Sequence, residues 1–253
     1  MRVFAINLSH RTDKKAHILN EGKKHGLDIE LIEAVNGAQL TDADFQELVH
    51  DYPACCLTKG EVGCALSHLN IYKKMMDENC PLALILEDDA VLGSDVVEVL
   101  EALQRIDRND AARAYLLSGS HYYIESGSAP LVGPYALYRI VDAFYAYAYV
   151  VNLEAAKAMY ERLRPVVFEA DRWMFFQQLG IVSVRCIEPA VVKSNDDEKV
   201  SSDLESSRTA LILERAAYLR KVKKQFPFKV KLKKLFWKLI QRRFVKVVRQ
   251  KQR

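Results

Sequence analysis

The chain has 253 residues, half of them hydrophobic and few of them Gly or Pro, which provides for one large domain and excludes an intrinsically disordered chain. Its formal charge of +4 hides an asymmetry: 16 of the 37 Lys and Arg fall in 215–253, where there is no Asp or Glu, leaving 21 basic against 33 acidic residues in 1–214. No apolar run approaches the ~18 residues of a membrane-spanning helix, and MRVFAINLSHR is too short to be a secretory signal, so the expected compartment is the cytoplasm.

VFAINL (Val3–Leu8) reads as a short strand, and 9–26 is helical in pattern with Gly26 as its stop. Leu27–Val35 reads as a second strand ended by Asn36-Gly37, and 40–52 as a helix capped by Thr41 or Asp42. A longer helix over 58–80 carries the stripe Val62, Ala65, Leu66, Leu69, Tyr72 and Met76, and Pro81 punctuates it. LALILEDDAVL (Leu82–Leu92) then runs five apolar residues straight into Glu87, Asp88 and Asp89. A helix over 94–106 with Ser94 as cap follows, then a strand over 114–120 and a Gly/Pro/Tyr-rich stretch, 121–140, that reads as irregular before returning as strand. Residues 143–152 read as strand, 153–165 as a helix stopped by Pro165, 171–180 as a short helix, 181–192 as a last strand and 193–207 as a polar loop. The five cysteines include no C-x-x-C pair and read as small buried hydrophobes.

Strands alternating with helices predict an α/β layered domain with a mainly parallel sheet. Ligands of such sheets bind beyond the carboxyl ends of strands, which gathers Asn7, Asn36 and Glu87–Asp89 on one rim. Three adjacent carboxylates repel one another, and a hard divalent cation such as Mg²⁺ or Mn²⁺ would compensate them. If strand geometry continues through the run, Glu87 and Asp89 share one face and Asp88 takes the other. An acidic turn is the plainer reading. Phosphohydrolases, nucleotidyltransferases and sugar-nucleotide transferases all place Asp near a strand end, and the three residues alone do not separate them.

The block LTKGEVGCALSHLNIYKKMM followed by LALILEDDAVL resembles the family 25 glycosyltransferases, which build bacterial lipooligosaccharide and include relatives that glycosylate collagen. VFAINLSHRTDKKAHI, ELIEAVNG, AYAYVVNLEAAKAM and FEADRWMFFQQLGIVSVRCIEPAVV are similar to further parts of the family, so the likeness spans about 1–208. The chain departs from the pattern at Ser9, His10 and Arg11, and at Tyr145, Ala146 and Tyr147, where small residues are usual. The resemblance implies a GT-A-like, Rossmann-type fold and an inverting transfer of a hexose (galactose favoured, glucose next) from a UDP-sugar to a lipooligosaccharide acceptor, forming a β-linkage with Mn²⁺ or Mg²⁺. It implies Glu87 and Asp89 as metal ligands and Asp88 on the ribose or donor sugar. Asp171 is the implied acceptor-side base, beside a Trp173 ring suited to stacking on a sugar, with Glu169 as runner-up. Asn7, Leu8 and Arg11 are donor candidates for uridine and diphosphate, and Asn36, Glu61, Ser67 and His68 are further donor-side candidates. Each also has a plainer reading, Glu61 as a helix-terminal acid and His68 as a satisfied structural His. Asp196 and Asp197 lie in a stretch suited to a lid near the metal.

The tail, FKVKLKKLFWKLIQRRFVKVV, sets Leu232, Leu235, Phe236, Leu239, Ile240, Phe244 and Val247 on one helical stripe opposite Lys and Arg. This predicts a helix lying on an anionic membrane surface, the cytoplasmic face of the inner membrane if the acceptor is lipid-linked. The expected division is a catalytic domain, 1–214, and a membrane-associating tail, 215–253. A catalytically inactive paralogue that binds a sugar nucleotide or a partner is the alternative. No nucleic-acid partner is expected, because the body is acidic and carries no recognition motif.

Overall fold

The computed structural model describes residues 1–195 and 205–250, with the backbone alone over 205–210. The expected lid residues Asp196 and Asp197 lie outside the described residues. The elements in chain order are β1 (Arg2–Asn7), α1 (Thr12–His25), β2 (Ile29–Glu33), α2 (Asp42–Leu48), α3 (Lys59–Asp77), β3 (Leu82–Glu87), β4 (Ala90–Leu92), α4 (Val96–Ile106) and β5 (Arg113–Leu116). They continue with β6 (Tyr122–Val132), β7 (Tyr135–Asp142), β8 (Ala148–Asn152), α5 (Leu153–Arg162), α6 (Trp173–Gln178), β9 (Ser183–Glu188), β10 (Val192–Ser194), α7 (Glu205–Gln225), α8 (Phe228–Leu239) and β11 (Val247–Arg249).

The main sheet has the order β11-β6-β7-β9-β5-β8-β3-β1-β2. Parallel pairing of β1 with β2 and β3, and of β5 with β9, sets one direction for the centre of the sheet. β8 runs against both of its neighbours, β3 and β5. The fold is therefore mixed α/β, with β2, β1, β3, β5, β9 and β6 running one way and β8, β7 and β11 the other. Continuous apolar runs such as LALIL in β3 are buried because helices cover both faces. One core layer joins α3, α5 and α6 to the sheet, and the other joins α1 and α4.

Several boundaries differ from the sequence reading for identifiable reasons. The stretch 121–140 forms a β6–β7 hairpin with an irregular register between Ile124 and Ala129. Its polar residues face solvent, which an antiparallel ribbon permits. The strand expected over 143–152 begins at Ala148, because Tyr145 takes φ 72°, outside any strand geometry. The last strand is split into β9 and β10 around Pro189, which has no N–H for a ladder. α4 begins at Val96, one residue later than a cap at Ser94 would place it, with Asp95 at the N-cap.

Two tight contacts place α3. A Cβ on Gly63 would lie 2.4 Å from the Val35 carbonyl, and one on Gly37 would lie 1.7 Å from that of Lys59. Only glycine lets the helix lie this close to the loop after β2. Thr58 and Glu61 close the helix N-terminus as a reciprocal capping box.

The basic tail does not leave the body at residue 215. Arg215, Tyr218, Leu219 and Phe226 are buried, and the latter three belong to the main core. Arg215 bridges Glu169 at 2.8 Å and donates to the carbonyls of Cys55 and Val167. The exposed apolar stripe begins at Phe228 and runs through Leu232, Leu235, Phe236 and Leu239. The helix ends at Leu239, so Phe244 and Val247 are not part of it as the stripe implied; Val247 lies in β11, paired with Ile124 of β6.

Candidate active site

The carboxyl ends of β1, β2 and β3 converge as the topology requires. Asn7 is in register with Glu33 and Ile6 with Glu87, and the Ala34 amide donates to the Asn7 carbonyl. From this rim the three carboxylates diverge. β3 ends at Glu87 and the next two residues form a turn, so the alternation that would set Glu87 and Asp89 on one face stops there.

Glu87, with its side chain a third exposed, has Oε1 3.3 Å from His68 Nε2. Together with Cys64 these side chains put three ligand atoms within 4.8 Å of one another. The Cys64–His68 spacing is one helical turn of α3, a signal that the sequence reading overlooked. His68 Nδ1 lies 2.8 Å from the Tyr149 hydroxyl, which is 2.7 Å from that of Tyr72. This buried relay orients the imidazole. Burial holds both phenols neutral, their pKa values pushed above the usual tyrosine range.

Asp88 turns the other way. Its Oδ2 accepts from Asn7 Nδ2 at 2.8 Å, and its Oδ1 is 3.5 Å from Lys14 Nζ in the first turn of α1. Burial raises its pKa and the Glu87 charge adds to this, while Asn7 and Lys14 act against them. Asp89 is buried; its carboxylate accepts from the Ser194 hydroxyl and its carbonyl from the Asn195 amide. It fastens β10 to the rim, a long-range contact with no signal in the sequence. Among the expected donor residues, the Leu8 carbonyl accepts from the Arg11 amide, and Arg11 pairs with Asp13.

Three other candidates hold the scaffold. The Asn36 side chain accepts from the Ala38 amide, capping a short turn. Glu61 is in the buried capping box of α3. Ser67, fully buried, donates to the Gly63 carbonyl and accepts from the Val35 amide. They act behind the rim, fixing the distance between α3 and the loop after β2.

The second half of the rim comes from the segment before β8 and the start of α6. The Glu87 amide donates to the Tyr147 carbonyl, and the ring of Tyr147 is 5.8 Å from that of Tyr145. The Tyr145 amide donates to Asp171 Oδ2 at 3.2 Å. Asp171 thus stands along the rim from Glu87. It precedes α6 by two residues rather than starting it, since α6 begins at Trp173 with Arg172 at the N-cap. Trp173 does not present a stacking face: it is 0% exposed, packs edge-on to Tyr149, and its indole N–H donates to the Tyr145 carbonyl.

Glu169 has a structural geometry rather than that of a base. Burial would raise its pKa, but two-point hydrogen bonds from Arg172 and from Arg215 outweigh it and bring the carboxylate to about 2. Asp142 was not singled out in the sequence; burial raises its pKa against the opposing charges of His121 and Arg172. At the end of β9, burial pushes Glu188 to about 7 against one hydrogen bond from the Ser120 amide.

The arrangement offers two kinds of chemistry on one rim: carboxylate and imidazole ligands for a cation at Glu87 and His68, and a separate half-buried carboxylate, Asp171, for proton transfer. A family model described as glycosyltransferase family 25 (LPS biosynthesis protein) matches residues 1–174. A "Glycosyltransferase 25 family member" of Aedes aegypti is 29% identical over 63% of this chain and 28% of its own. "Procollagen galactosyltransferase 2" of Homo sapiens is 27% identical over 62% of this chain and 27% of its own. A "Probable inactive glycosyltransferase 25 family member 3" of Bos taurus is 27% identical over 62% of this chain and 28% of its own. The chain thus spans little more than a quarter of the length of these curated relatives.

Proposed function

The chain belongs to glycosyltransferase family 25, and from that premise we propose that it moves a hexose from a UDP-sugar to a glycan acceptor with inversion, forming a β-linkage. Galactose is the favoured donor sugar, in keeping with the name of the human relative, and glucose is the next. The observation that carries the reading is the single rim shared by Glu87, Asp88 and Asp171, bridged by the segment of Tyr145 and Tyr147.

The donor set fits a divalent cation. Glu87 supplies a hard oxygen donor at a partly exposed strand end, and His68 and Cys64 stand beside it. In this reading a divalent cation such as Mn²⁺ or Mg²⁺ would be held by Glu87 with His68 beside it, while Asp88 faces Asn7 and Lys14 on the donor side and Asp89 fixes β10. When bound, the cation neutralises the charge that develops on the departing diphosphate. Lys14 and Arg11, at the start of α1, add positive charge on the donor side, and Asn7 holds Asp88 in orientation. Asp171 takes the proton of the attacking acceptor hydroxyl. The backbone amide of Tyr145 donates to its carboxylate and helps to orient it.

The proposed acceptor is lipooligosaccharide, and the proposed place of work is an anionic membrane surface. Support comes from α8, whose apolar stripe is exposed, with Phe228 at 75%, while its other face is lysine-rich and the segment 215–253 has no acidic residue. The test is release of UDP from UDP-galactose or UDP-glucose in the presence of Mn²⁺ and a truncated lipooligosaccharide. Turnover that requires both acceptor and cation is expected. Sugar-nucleotide binding without turnover would identify an inactive, donor-binding paralogue instead, a state with precedent in the bovine relative's name.

A further inference from the structure

Tyr145 is the one rim residue whose backbone and side chain pull in different directions. Its φ of 72° lies in the left-handed region, where a bulky side chain is disfavoured and glycine is not. The conformation is held by the N-terminal end of α6: the Tyr145 amide donates to Asp171 at 3.2 Å and the Trp173 indole donates to its carbonyl at 2.9 Å. These backbone bonds do not need a tyrosine side chain. The phenol ring is nevertheless kept, 47% exposed. The half-buried His121 ring lies 5.4 Å away at 32°, and the buried Tyr147 ring packs 5.8 Å away at 37°, so Tyr145 carries the exposed aromatic face. A strained residue that over-determined surroundings hold in place is evidence of a task beyond folding.

We propose that the Tyr145 ring is the platform on which the acceptor's terminal pyranose lies, with His121 packed beside it. The inference rests on the transferase reading of the same rim. A pyranose presents one face of polarised C–H groups, and the electron-rich face of an aromatic ring attracts them. Flat placement on Tyr145 puts the ring hydroxyls at its edge. There Asp171, bonded to the same residue's amide, receives the proton. The donor carboxylates lie on the far side of Tyr147, whose carbonyl bonds the Glu87 amide. That order along the rim assigns the aromatic surface to the acceptor and not to the uracil of the donor. Trp173, the aromatic beside Asp171 in the sequence, holds the Tyr145 backbone and is a positioning residue.

The test uses the full chain as wild type, Tyr145→Gly and Tyr145→Phe, with UDP-galactose and Mn²⁺. Octyl β-D-galactopyranoside and octyl β-D-glucopyranoside are the acceptor probes. Glycine removes the ring and also relieves the positive φ, so Tyr145→Gly is expected to melt at or above the wild-type temperature. Its acceptor KM is expected to rise about tenfold, with donor KM unchanged and Tyr145→Phe close to wild type. An acceptor KM for Tyr145→Gly within about twofold of wild type would overturn the proposal, as would a rise in donor KM alone, which would move the platform to the uracil. Should the wild type release no UDP, the transferase reading fails separately. Saturation-transfer NMR on the two octyl hexosides then decides: contact with wild type and Tyr145→Phe that is lost in Tyr145→Gly supports the platform, and absence of contact with wild type refutes it.

Discussion

Replacing Arg215 with Met removes a buried guanidinium at the junction between body and tail. Arg215 donates two hydrogen bonds to Glu169 and one each to the Cys55 and Val167 carbonyls, and both ion-pair partners are under a tenth exposed. Breaking one side of such a pair costs about 3–5 kcal/mol, because the remaining charge stays buried. Arg172 still holds Glu169, which sets the expected loss near the lower end, about 3 kcal/mol. The Glu169 carboxylate is lowered from 4.5 to about 2, its two arginines outweighing burial, and each pKa unit is worth about 1.4 kcal/mol. A group whose pKa is depressed on folding stabilises fully above its unfolded value and loses that contribution as pH falls through the folded one. Wild-type stability from this group is therefore complete above about pH 4.5 and declines toward pH 2. Urea unfolding of wild type, Arg215→Met, Glu169→Gln and the double variant, at pH 7 and across pH 2–5, measures both quantities. The expected pattern is a coupling energy of about 1–3 kcal/mol between the two sites and a shallower acid slope in Arg215→Met. A loss below about 1 kcal/mol with the acid slope unchanged would show Arg215 to behave as a solvated tail residue, and the packing argument for α7 would fall.

Asp171→Asn is expected to reduce transfer at least ~100-fold while UDP-sugar affinity, followed by calorimetry, changes little; near-normal turnover would remove Asp171 as the base. Gly63→Ala pushes a methyl group into the Val35 carbonyl and the Gly37 amide, and overpacking against backbone should cost about 1–3 kcal/mol in urea unfolding. For the membrane surface, Leu235→Glu with Leu239→Glu leaves α7 and β11 in place while placing charge in the exposed stripe. Co-sedimentation with phosphatidylglycerol vesicles should fall sharply with the melting temperature unchanged, and equal binding by both proteins would sink the lipid reading. Truncation at 216 is a poorer test, because it also removes Tyr218, Leu219 and Phe226 from the core.

Much of the rim was legible in the sequence because it follows from chain direction. An apolar run ending in Glu87 and another ending in Asn7 become neighbouring parallel strands, and their ends must meet. A helix start with a side-chain signal was equally readable at Thr41. What failed was local periodicity carried past the end of its element. The Glu87–Asp89 alternation assumed a strand that stops at Glu87, and the long strand before Asn152 assumed extended backbone at Tyr145. Trp173 looked like a sugar platform because its flat ring stands two residues from Asp171, yet the indole fills the gap between Tyr149 and Phe176. The reverse error befell Arg215. It sits in a run of positive charge, and only its long-range partner Glu169 reveals that it is internal. Ser194, Asn195 and Lys14 acquire their meaning through similar distant contacts.

The route of the last forty residues has a mechanical consequence. Phe226 is locked in the core, and Val247 is hydrogen-bonded into the edge of the sheet beside Ile124. One residue past β11, the Gln250 amide reaches the carbonyl of His121, which lies next to Tyr145. The exposed helix between them is a handle riveted at both ends rather than a flag on a pole. A singly attached helix can swivel and leave the body free to tumble beneath it. A doubly attached one passes its own tilt to the sheet, so any plane on which it comes to rest also sets the direction in which the carboxylate rim faces.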